Sequence, residues 1–356
     1  MNIFLTGATG FLGSKLIKQF LLEGHAIYLI ARDIKKAEST LSTLCSTEDA
    51  SITIFQGDIT AKNLGLSEDD VTYLENKIDV FYHLAALVKF DVELREELMA
   101  TNFGGTREAL SFAHKIKVKK FLHVSTAYTV GTSDEGFEQL SPKGQTYYNP
   151  YEESKALAER AVFEYADKMD ISIFRPSIIV GDSKTGEANS QFTLYGFMRG
   201  LDLFKKRLER KGLLTEKIHL IGSSDGTSNL VPVDYVADIL ALGSQKAEKN
   251  MIYFITNPKP STNMEILNVI KQYLQFNNLQ IYEFNSQYEL NPLEKQMNEM
   301  ISVFKPYLDR NIIFHDQNTV QLLEGTNIQH LNMTEDILHL IVKSYFQTNN
   351  EEKMKV

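Results

Sequence analysis

Tyr151 and Lys155 are the residues whose types and spacing most directly point to chemistry. Residues four apart on a helix share one face, so the phenol and the ammonium can converge on one cavity. A nearby cation favours the phenolate, and we expect it to lower the pKa of Tyr151 from about 10 towards neutral pH. A tyrosine tuned in this way can donate a proton to a carbonyl oxygen while a hydride arrives at the carbonyl carbon. Asn149 as N-cap, Pro150 at the first helical position and Glu152 predict that a helix begins here.

Two hydroxyl side chains follow an apolar run that predicts a strand at Lys120–Ser125. In a doubly wound sheet, ligands bind at the carboxyl ends of the strands, where Ser125 and Thr126 would lie. Thr126 can donate a hydrogen bond to a substrate carbonyl beside Tyr151, and Ser125 competes with it for that role. A tyrosine four residues before a lysine is common by chance, so the nearby hydroxyls are what favours a catalytic interpretation.

A glycine-rich turn joins the first predicted strand, Asn2–Thr6, to a predicted helix. Gly7 would allow the tight turn, Gly10 would remove a Cβ from the path of a phosphate, and Gly13 would let helix and strand pack closely. A pyrophosphate would then lie at the positive end of the helix dipole. The alternative is an ordinary turn, but the flanking strand and helix favour a dinucleotide-binding loop.

The second predicted strand ends in Arg32 and Asp33, which bear on the choice of dinucleotide. An acidic residue at this point binds the ribose 2′-hydroxyl of NAD, whereas an arginine accommodates the 2′-phosphate of NADP. The guanidinium fork of Arg32 suits a phosphate and favours NADP. Asp33 keeps NAD open, and a solvated charged loop is a third interpretation.

The ends of two further predicted strands could contribute to the same dinucleotide-binding site. Asp58 follows the third predicted strand and could accept the adenine amino group, while Ile59 could offer its backbone N–H. Ala85 follows the fourth strand, where a small residue leaves room for a ring or a ribose. Either segment could instead be turn chemistry alone.

Alternating strands and helices must position these residues. The apolar runs that predict buried strands are Asn2–Thr6, Ala26–Ala31, Ile52–Gln56, Asp79–His83, Lys120–Ser125, Ile171–Arg175 and Met251–Thr256. Helical patterns lie at Leu12–Leu22, Thr106–Ile116, Met264–Leu274, Pro292–Phe304 and Thr334–Tyr345. The pattern predicts an α/β fold with a doubly wound parallel sheet of the Rossmann type. We expect a dinucleotide-binding core over residues 1–180, revisited at about 230–258, and a smaller, mainly helical substrate lobe from residues 181–229 and 259–356.

Composition excludes several other classes of protein. The chain has 356 residues, 43% of them hydrophobic, and a net charge of −9, which argues against nucleic-acid binding. Cys45 is the single cysteine, so an internal disulfide framework is excluded. The eight histidines show no paired metal-ligand spacing, and we predict no metal site. No apolar run reaches the ~18 residues that span a bilayer, and we expect a cytoplasmic protein.

The motifs together resemble those of extended short-chain dehydrogenases/reductases. Within that superfamily the chain is similar to the thioester-reductase and fatty-acyl reductase branch, as found in the reductase domains of carboxylic acid reductases and nonribosomal peptide synthetases. The segments that carry the resemblance are Thr6–Gly13, Gly57–Asp58, His83–Asp91, Asn102–Thr106, Val124–Tyr128, Tyr151 with Lys155, Arg175–Gly186 and Asn229–Val236. The resemblance is good to about residue 240.

The resemblance implies particular roles for the site residues. Thr126 and Tyr151 would bind and protonate the carbonyl, and Lys155 would also hold the nicotinamide ribose. Asn102 would support a water-linked proton path. The residues that would contact NADP(H) are Gly7, Thr9, Gly10, Phe11, Leu12, Gly13, Arg32, Asp58, Ile59, Ala85, Asn102, Lys155, Pro176 and Ser177.

The reaction that the resemblance implies is hydride transfer from NADPH to an acyl thioester, giving an aldehyde. A second hydride could take the aldehyde to an alcohol. The chain begins at its first strand and shows no serine-centred phosphopantetheine motif, so we expect the acyl group to arrive on CoA or on a separate carrier protein, or the substrate to be something other than a thioester. The basic run Lys205–Lys211 could bind either, or be a solvated helix face. Apolar residues that could line an acyl tunnel, or simply pack in a core, are Phe192, Tyr195, Phe197 and Met198.

The alternatives to a reductase function are a nucleotide-sugar epimerase or dehydratase with tightly bound NAD, and a non-catalytic NADP-sensing protein.

Overall fold

A computed structural model describes residues 1–42, 51–188, 190, 193–283 and 289–354. Cys45 and Phe192 lie outside the described residues. The strands are β1 Asn2–Thr6, β2 Ala26–Ala31, β3 Ile52–Gln56, β4 Val80–His83, β5 Lys120–Val124, β6 Glu135–Phe137, β7 Asp170–Pro176, β8 Ile178–Val180, β9 Ile218–Ile221, β10 Thr227–Ser228, β11 Leu230–Pro232, β12 Met251–Ile255, β13 Ser261–Thr262, β14 Leu279–Tyr282 and β15 Ile313–His315. The helices are α1 Phe11–Leu22, α2 Ile34–Ser42, α3 Glu68–Leu74, α4 Arg95–Leu98, α5 Gly105–Lys115, α6 Pro150–Phe163, α7 Leu194–Lys211, α8 Val233–Lys246, α9 Asn263–Leu274, α10 Pro292–Met300, α11 Lys305–Leu308, α12 Gln317–Leu323 and α13 Glu335–Met354.

The chain divides into two compact units. The first contains Met1–Ser177, Val233–Thr256 and Phe314–His330, and the second contains Ile178–Pro232, Asn257–Ile313 and Leu331–Val356. Phe314–His330 belongs to the first unit, although the sequence analysis assigns this stretch to the lobe. Glu138 helps to bind this stretch to the sheet, since its carboxylate accepts the backbone N–H of Thr319 at 3.2 Å and that of Phe254 in β12 at 2.8 Å.

A seven-stranded parallel sheet forms the centre of the first unit, in the order β12-β7-β5-β4-β1-β2-β3. The predicted doubly wound α/β fold is therefore confirmed. The order reverses between β1 and β4, which makes that point the switch where ligands bind in such sheets. The loops after these two strands begin at Gly7 and Leu84. Gly7 and Ala85, which follows Leu84, therefore lie at this switch.

Alternation along the strands gives the sheet two buried faces. Phe4, Phe81 and Phe121 stack on one face, with ring centroids 4.8 and 5.1 Å apart, and Phe112 of α5 packs on them. On the other face Tyr82 packs on α1, and its hydroxyl donates to the Leu240 carbonyl of α8 at 2.5 Å. Helices thus cover both faces, as a parallel sheet requires.

The second unit consists mainly of helices α7, α9, α10, α11 and α13. Side chains cap the N-termini of two of these helices: Thr262 caps α9 and Asn291 caps α10, each in a capping box with a glutamate. Short strand pairs that the sequence analysis does not predict accompany the helices: β8 with β11, β9 with β14 and β10 with β13. The predicted helix Pro292–Phe304 is interrupted at Ile301, whose φ of −110° separates α10 from a 3₁₀ turn at Ser302–Phe304.

Candidate functional site

The loop after β1 is closed so tightly that only glycine fits at two positions. Gly7 has φ +73°, and a Cβ there would lie 2.6 Å from the Ala85 nitrogen. A Cβ on Gly13 would lie 2.3 Å from the Gly7 carbonyl oxygen. Gly10 is the N-cap of α1, and no side chain caps that helix. The residues therefore form a cradle of backbone that fits a pyrophosphate at a helix N-terminus.

The remaining members of the loop lie on its outer side. Thr9 is exposed, and Phe11 and Leu12, the first two residues of α1, are partly buried. The loop after β4 contributes Ala85, whose backbone N–H donates to the Thr6 hydroxyl at 3.3 Å. The structure thus brings the predicted phosphate loop and Ala85 together at the switch point.

Arg32 and Asp33 follow β2 and differ in what they contact. Asp33 accepts the backbone N–H of Lys36 at 3.0 Å and so caps the start of α2. Arg32 is exposed, and its charge helps to lower the pKa of Asp58. The larger causes of that lowered pKa are two hydrogen bonds that Thr60 donates to Asp58 Oδ1, one from its backbone nitrogen at 2.8 Å and one from its hydroxyl oxygen at 2.7 Å. Arg32 and Asp58 therefore lie near each other, whereas Asp33 is used in the local fold.

Ile59 and Asn102 lie on the side of the pocket towards α5. The Ile59 side chain fills the space beside Gly105, where a Cβ would come within 2.9 Å of its Cδ1 atom. Asn102 lies in a π-helical turn at Met99–Gly104 and is buried. Its side chain accepts the Leu87 N–H at 2.7 Å and donates to the Leu87 carbonyl at 3.0 Å. These contacts fix the loop after β4; the water-linked proton path stays a prediction.

Helix α6 carries Tyr151 and Lys155 as the sequence predicts. Asn149 is its N-cap, accepting the Glu152 N–H at 3.1 Å, and Pro150 occupies the first helical position. The Glu152 carboxylate is buried and accepts the Tyr148 N–H at 3.1 Å. The helix start is therefore rigid, and Tyr151 lies in its first turn.

Lys155 is 2% exposed and donates from Nζ to the Val124 carbonyl oxygen of β5 at 2.7 Å. Burial lowers the pKa of this lysine to about 8, and the Glu159 carboxylate partly opposes the shift. An ammonium with a single described hydrogen bond in a dry environment is destabilised relative to the amine, which is the physical cause of the low pKa.

The expected lowering of the Tyr151 pKa is wrong. Burial of the hydroxyl and the neighbouring Glu152 carboxylate raise the pKa of Tyr151 well above its usual value, and a hydrogen bond with the Thr126 side chain only partly opposes this. Helical spacing alone does not account for the cost of burying a phenolate, and here that cost dominates. Tyr151 is consequently a protonated phenol at neutral pH.

The two candidate hydroxyls after β5 have different environments. The Thr126 hydroxyl accepts the Tyr128 N–H at 3.3 Å, and the Thr126 side chain partly opposes the raised pKa of Tyr151. Ser125 is held by its backbone N–H, which donates to the Phe174 carbonyl at 2.7 Å, and its buried Oγ has no hydrogen-bond partner among the described residues. Thr126 is thus the hydroxyl that influences the pKa of Tyr151, and its role as carbonyl ligand stays a prediction.

A buried ion pair beneath the site was not anticipated. Arg175 Nε and Nη2 donate to the Glu159 carboxylate at 2.8 and 2.6 Å, and both side chains are 1% exposed. The pair joins α6 to β7, whose end carries Pro176 and, just beyond it, Ser177. Ser177 is buried and donates its N–H to the Ile255 carbonyl at 3.0 Å. The sequence signals that could have indicated this ion pair were a glutamate in the predicted helix and an arginine in a predicted apolar strand.

The second unit contains an apolar cavity of about 550 Å³, a volume that includes space open to solvent. Residues that line it include Leu194, Phe197, Leu220, Leu230, Ile266 and Phe304. Of the predicted tunnel residues, Phe197 lines this cavity. Met198 and Tyr195 are buried, and the Tyr195 hydroxyl accepts the Gly181 N–H at 2.7 Å.

No helix in the part of the chain that the structure describes is long and apolar enough to cross a membrane.

The strand order and the backbone cradle are those of the extended short-chain dehydrogenase/reductase fold. Comparisons with known proteins agree. The terminal R domain from the myxalamid PKS-NRPS biosynthetic pathway superposes with a TM-score of 0.79 at 24% identity, covering 98% of this chain and 91% of that one. The dTDP-glucose 4,6-dehydratase of Streptomyces venezuelae, solved with NAD bound, gives a TM-score of 0.68 at 18% identity over 99% and 98% of the two chains. At these identities the likeness concerns the fold.

A family model described as "Male sterility protein" matches residues 5–240, and the chain belongs to that nicotinamide-dinucleotide-binding family. The protein called fatty acyl-CoA reductase wat from Drosophila melanogaster is 28% identical over 301 residues, which cover 70% of this chain and 55% of that protein. The chain thus spans about half the length of this relative.

Proposed function

We propose that the protein is an NADPH-dependent reductase of acyl thioesters. The observation that carries the proposal is the hydrogen bond from Lys155 Nζ to the Val124 carbonyl at 2.7 Å, which holds the helix of Tyr151 against the end of β5, just before Thr126, in a sheet whose switch point carries the glycine cradle. A reduced nicotinamide would supply the hydride that adds to the acyl carbonyl carbon. The thioester carbonyl then becomes a hemithioacetal, which loses its thiol to give an aldehyde, and a second hydride would give the alcohol.

Tyr151 and Thr126 would act on the carbonyl oxygen. The raised pKa of Tyr151 keeps its proton in place until the oxygen gains negative charge, when the oxygen becomes the stronger base. The Thr126 hydroxyl can donate to the same oxygen and hold it beside the phenol. Lys155, fixed on the Val124 carbonyl, would hold the nicotinamide ribose.

The preference for NADPH rests on the different environments of Arg32 and Asp33. The Asp33 carboxylate already accepts the Lys36 N–H, whereas the Arg32 guanidinium is exposed beside Asp58. A guanidinium in that position suits the ribose 2′-phosphate. The residues Gly7, Thr9, Gly10, Phe11, Leu12, Gly13, Ile59, Ala85, Asn102, Pro176 and Ser177 would complete the dinucleotide site.

An acyl thioester is the proposed substrate because the relatives are named fatty acyl-CoA reductases and the second unit holds an apolar cavity. The carrier would be CoA or a separate acyl carrier protein. Exposed cations on α7 could attract the phosphates of CoA or the acidic surface of a carrier protein. These cations are Arg199, Arg207, Arg210 and Lys211.

The test is NADPH oxidation measured against acyl-CoAs, carrier-bound acyl groups and free aldehydes, with wild type and Tyr151→Phe compared. We expect oxidation with a thioester, a loss of about 10²–10⁴ in kcat for Tyr151→Phe, and nearly unchanged NADPH affinity. Oxidation with none of the substrates, together with retention of bound NAD through purification, would instead favour the epimerase or dehydratase alternative. Binding of NADPH without any turnover would favour a sensing protein.

A further inference from the structure

His83 lies at the end of β4 with both ring nitrogens engaged. Its side chain is 1% exposed. Nδ1 lies 2.7 Å from the Thr6 hydroxyl at the end of β1, and Nε2 lies 3.1 Å from the Thr106 hydroxyl on α5. The ring therefore joins the strand that leads into the glycine cradle to the helix that follows the π-helical turn.

The neighbouring hydrogen bonds determine which nitrogen carries the proton. The Thr106 hydroxyl donates to the Asn102 carbonyl at 2.6 Å, so its oxygen must accept from His83 Nε2–H. Nδ1 is then an acceptor, and the Thr6 hydroxyl must donate to it. Burial and the Lys155 charge lower the pKa of His83 to about 3, which is consistent with a neutral ring.

The line of hydrogen bonds continues to the backbone of Tyr151. The Asn102 side-chain amide donates to Ser154 Oγ at 3.0 Å, and this hydroxyl donates to the Tyr151 carbonyl at 2.8 Å. We call the set Thr6, His83, Thr106, Asn102 and Ser154 the His83 chain. Its members are largely removed from water, where such bonds are strong and an unsatisfied group is costly.

We propose that His83 is a positioning residue that aligns the first turn of α6 with the glycine cradle through the His83 chain. It touches neither substrate nor dinucleotide in this scheme; it holds Asn102, and through Ser154 it holds the backbone that carries the Tyr151 phenol. The kinetic part of this inference rests on the proposed reductase function. The hydrogen-bond part does not.

The first experiment breaks the chain at Thr106 with matched variants. Thr106→Val removes the hydroxyl at constant shape, and Thr106→Ser restores it. We expect Thr106→Val to lower kcat about tenfold, as loss of one buried hydrogen bond implies, with the KM for the thioester unchanged. Thr106→Ser should recover most of the rate. Equal rates for the two variants, or a loss confined to KM, would overturn the positioning role.

A double-mutant comparison separates coupling from local damage. Thr6→Val acts on the other side of the ring, and His83 is the link between the two threonines. We expect the Thr6→Val and Thr106→Val effects on kcat to be strongly non-additive. Additive effects would show that each threonine acts only on its own surroundings.

The second experiment needs no activity. In ¹⁵N-histidine-labelled protein, with the His83 signals assigned by His83→Gln, we expect a neutral ring protonated at Nε2 throughout pH 5–8, with or without NADPH. A charged ring or the Nδ1–H form would refute the His83 chain whatever the enzyme does. If the expected tautomer is observed but neither thioesters nor aldehydes support NADPH oxidation, the His83 chain is supported and the proposed function is refuted.

Discussion

Lys155→Met should remove a specific pH dependence from the stability of the protein. The pKa of Lys155 is about 8 in the folded chain, against 10.5 for an ordinary lysine, because its ammonium is buried. Between these two values the unfolded chain binds a proton that the folded chain does not, so stability rises with pH through this window. Below pH 8 the lysine is charged in both states, and its burial destabilises the fold. The difference of about 2.5 units corresponds to about 3 kcal/mol.

The assay is urea denaturation of wild type and Lys155→Met at several values between pH 7 and pH 10. Methionine fills a similar volume without a charge, and it leaves the Val124 carbonyl unpaired at a cost of roughly 1–3 kcal/mol that does not depend on pH. The free energy of unfolding of wild type minus that of the variant should therefore rise by about 2–3 kcal/mol from pH 7 to pH 10. Other titrating groups are common to both proteins and cancel.

Two outcomes would refute this reasoning. A difference that stays flat over pH 7–10 would show that Lys155 keeps an ordinary pKa in the fold. A difference that falls with rising pH would show that a partner such as Glu159 outweighs burial, so that the folded pKa lies above 10.5 rather than below it.

Two further substitutions test other parts of the site. Arg32→Ala should weaken NADPH binding about 10–100-fold, because charge-assisted hydrogen bonds to a phosphate are lost, while NADH binding changes little; the exposed neighbour Lys35→Ala is the control, and equal losses for both dinucleotides in a fluorescence titration would contradict the phosphate role. Glu159→Gln should destabilise the fold by about 3–5 kcal/mol, because it leaves the Arg175 guanidinium uncompensated in the interior. Exposed Glu164→Gln, at the end of the same helix, should have almost no effect, and similar denaturation midpoints for the two variants would show that the buried pair contributes little.

The parallel sheet was accessible from sequence because its signal is local. All seven of its strands were predicted to within one residue at either end, since strands buried on both faces are continuous apolar runs. The start of α6 was accessible for the same reason: Asn149 and Pro150 act within one turn. The glycine cradle likewise follows from spacing within seven residues.

The features that sequence reasoning missed depend on contacts between distant segments. The Tyr151 pKa is set by burial, which helical spacing does not report. Phe314–His330 lies in the first unit with help from a distant contact: the carboxylate of Glu138, about 180 residues away, accepts the N–H of Thr319. Nothing in the sequence around Glu138 distinguishes it from a surface glutamate.

The end of β5 brings the separate parts of the proposed chemistry together. The Val124 carbonyl accepts a hydrogen bond from the Lys155 ammonium, the Ser125 N–H donates to Phe174 of β7, and the Thr126 side chain partly opposes the raised pKa of Tyr151. Three consecutive residues thus set the place of the cation, fix the contact with the neighbouring strand and influence the phenol. Because backbone groups do two of these tasks, side-chain substitutions at Val124 that preserve the strand should leave the geometry intact. A change of strand register, in contrast, would displace the cation and the phenol together, so the spacing of this segment matters more to the site than most of its side chains.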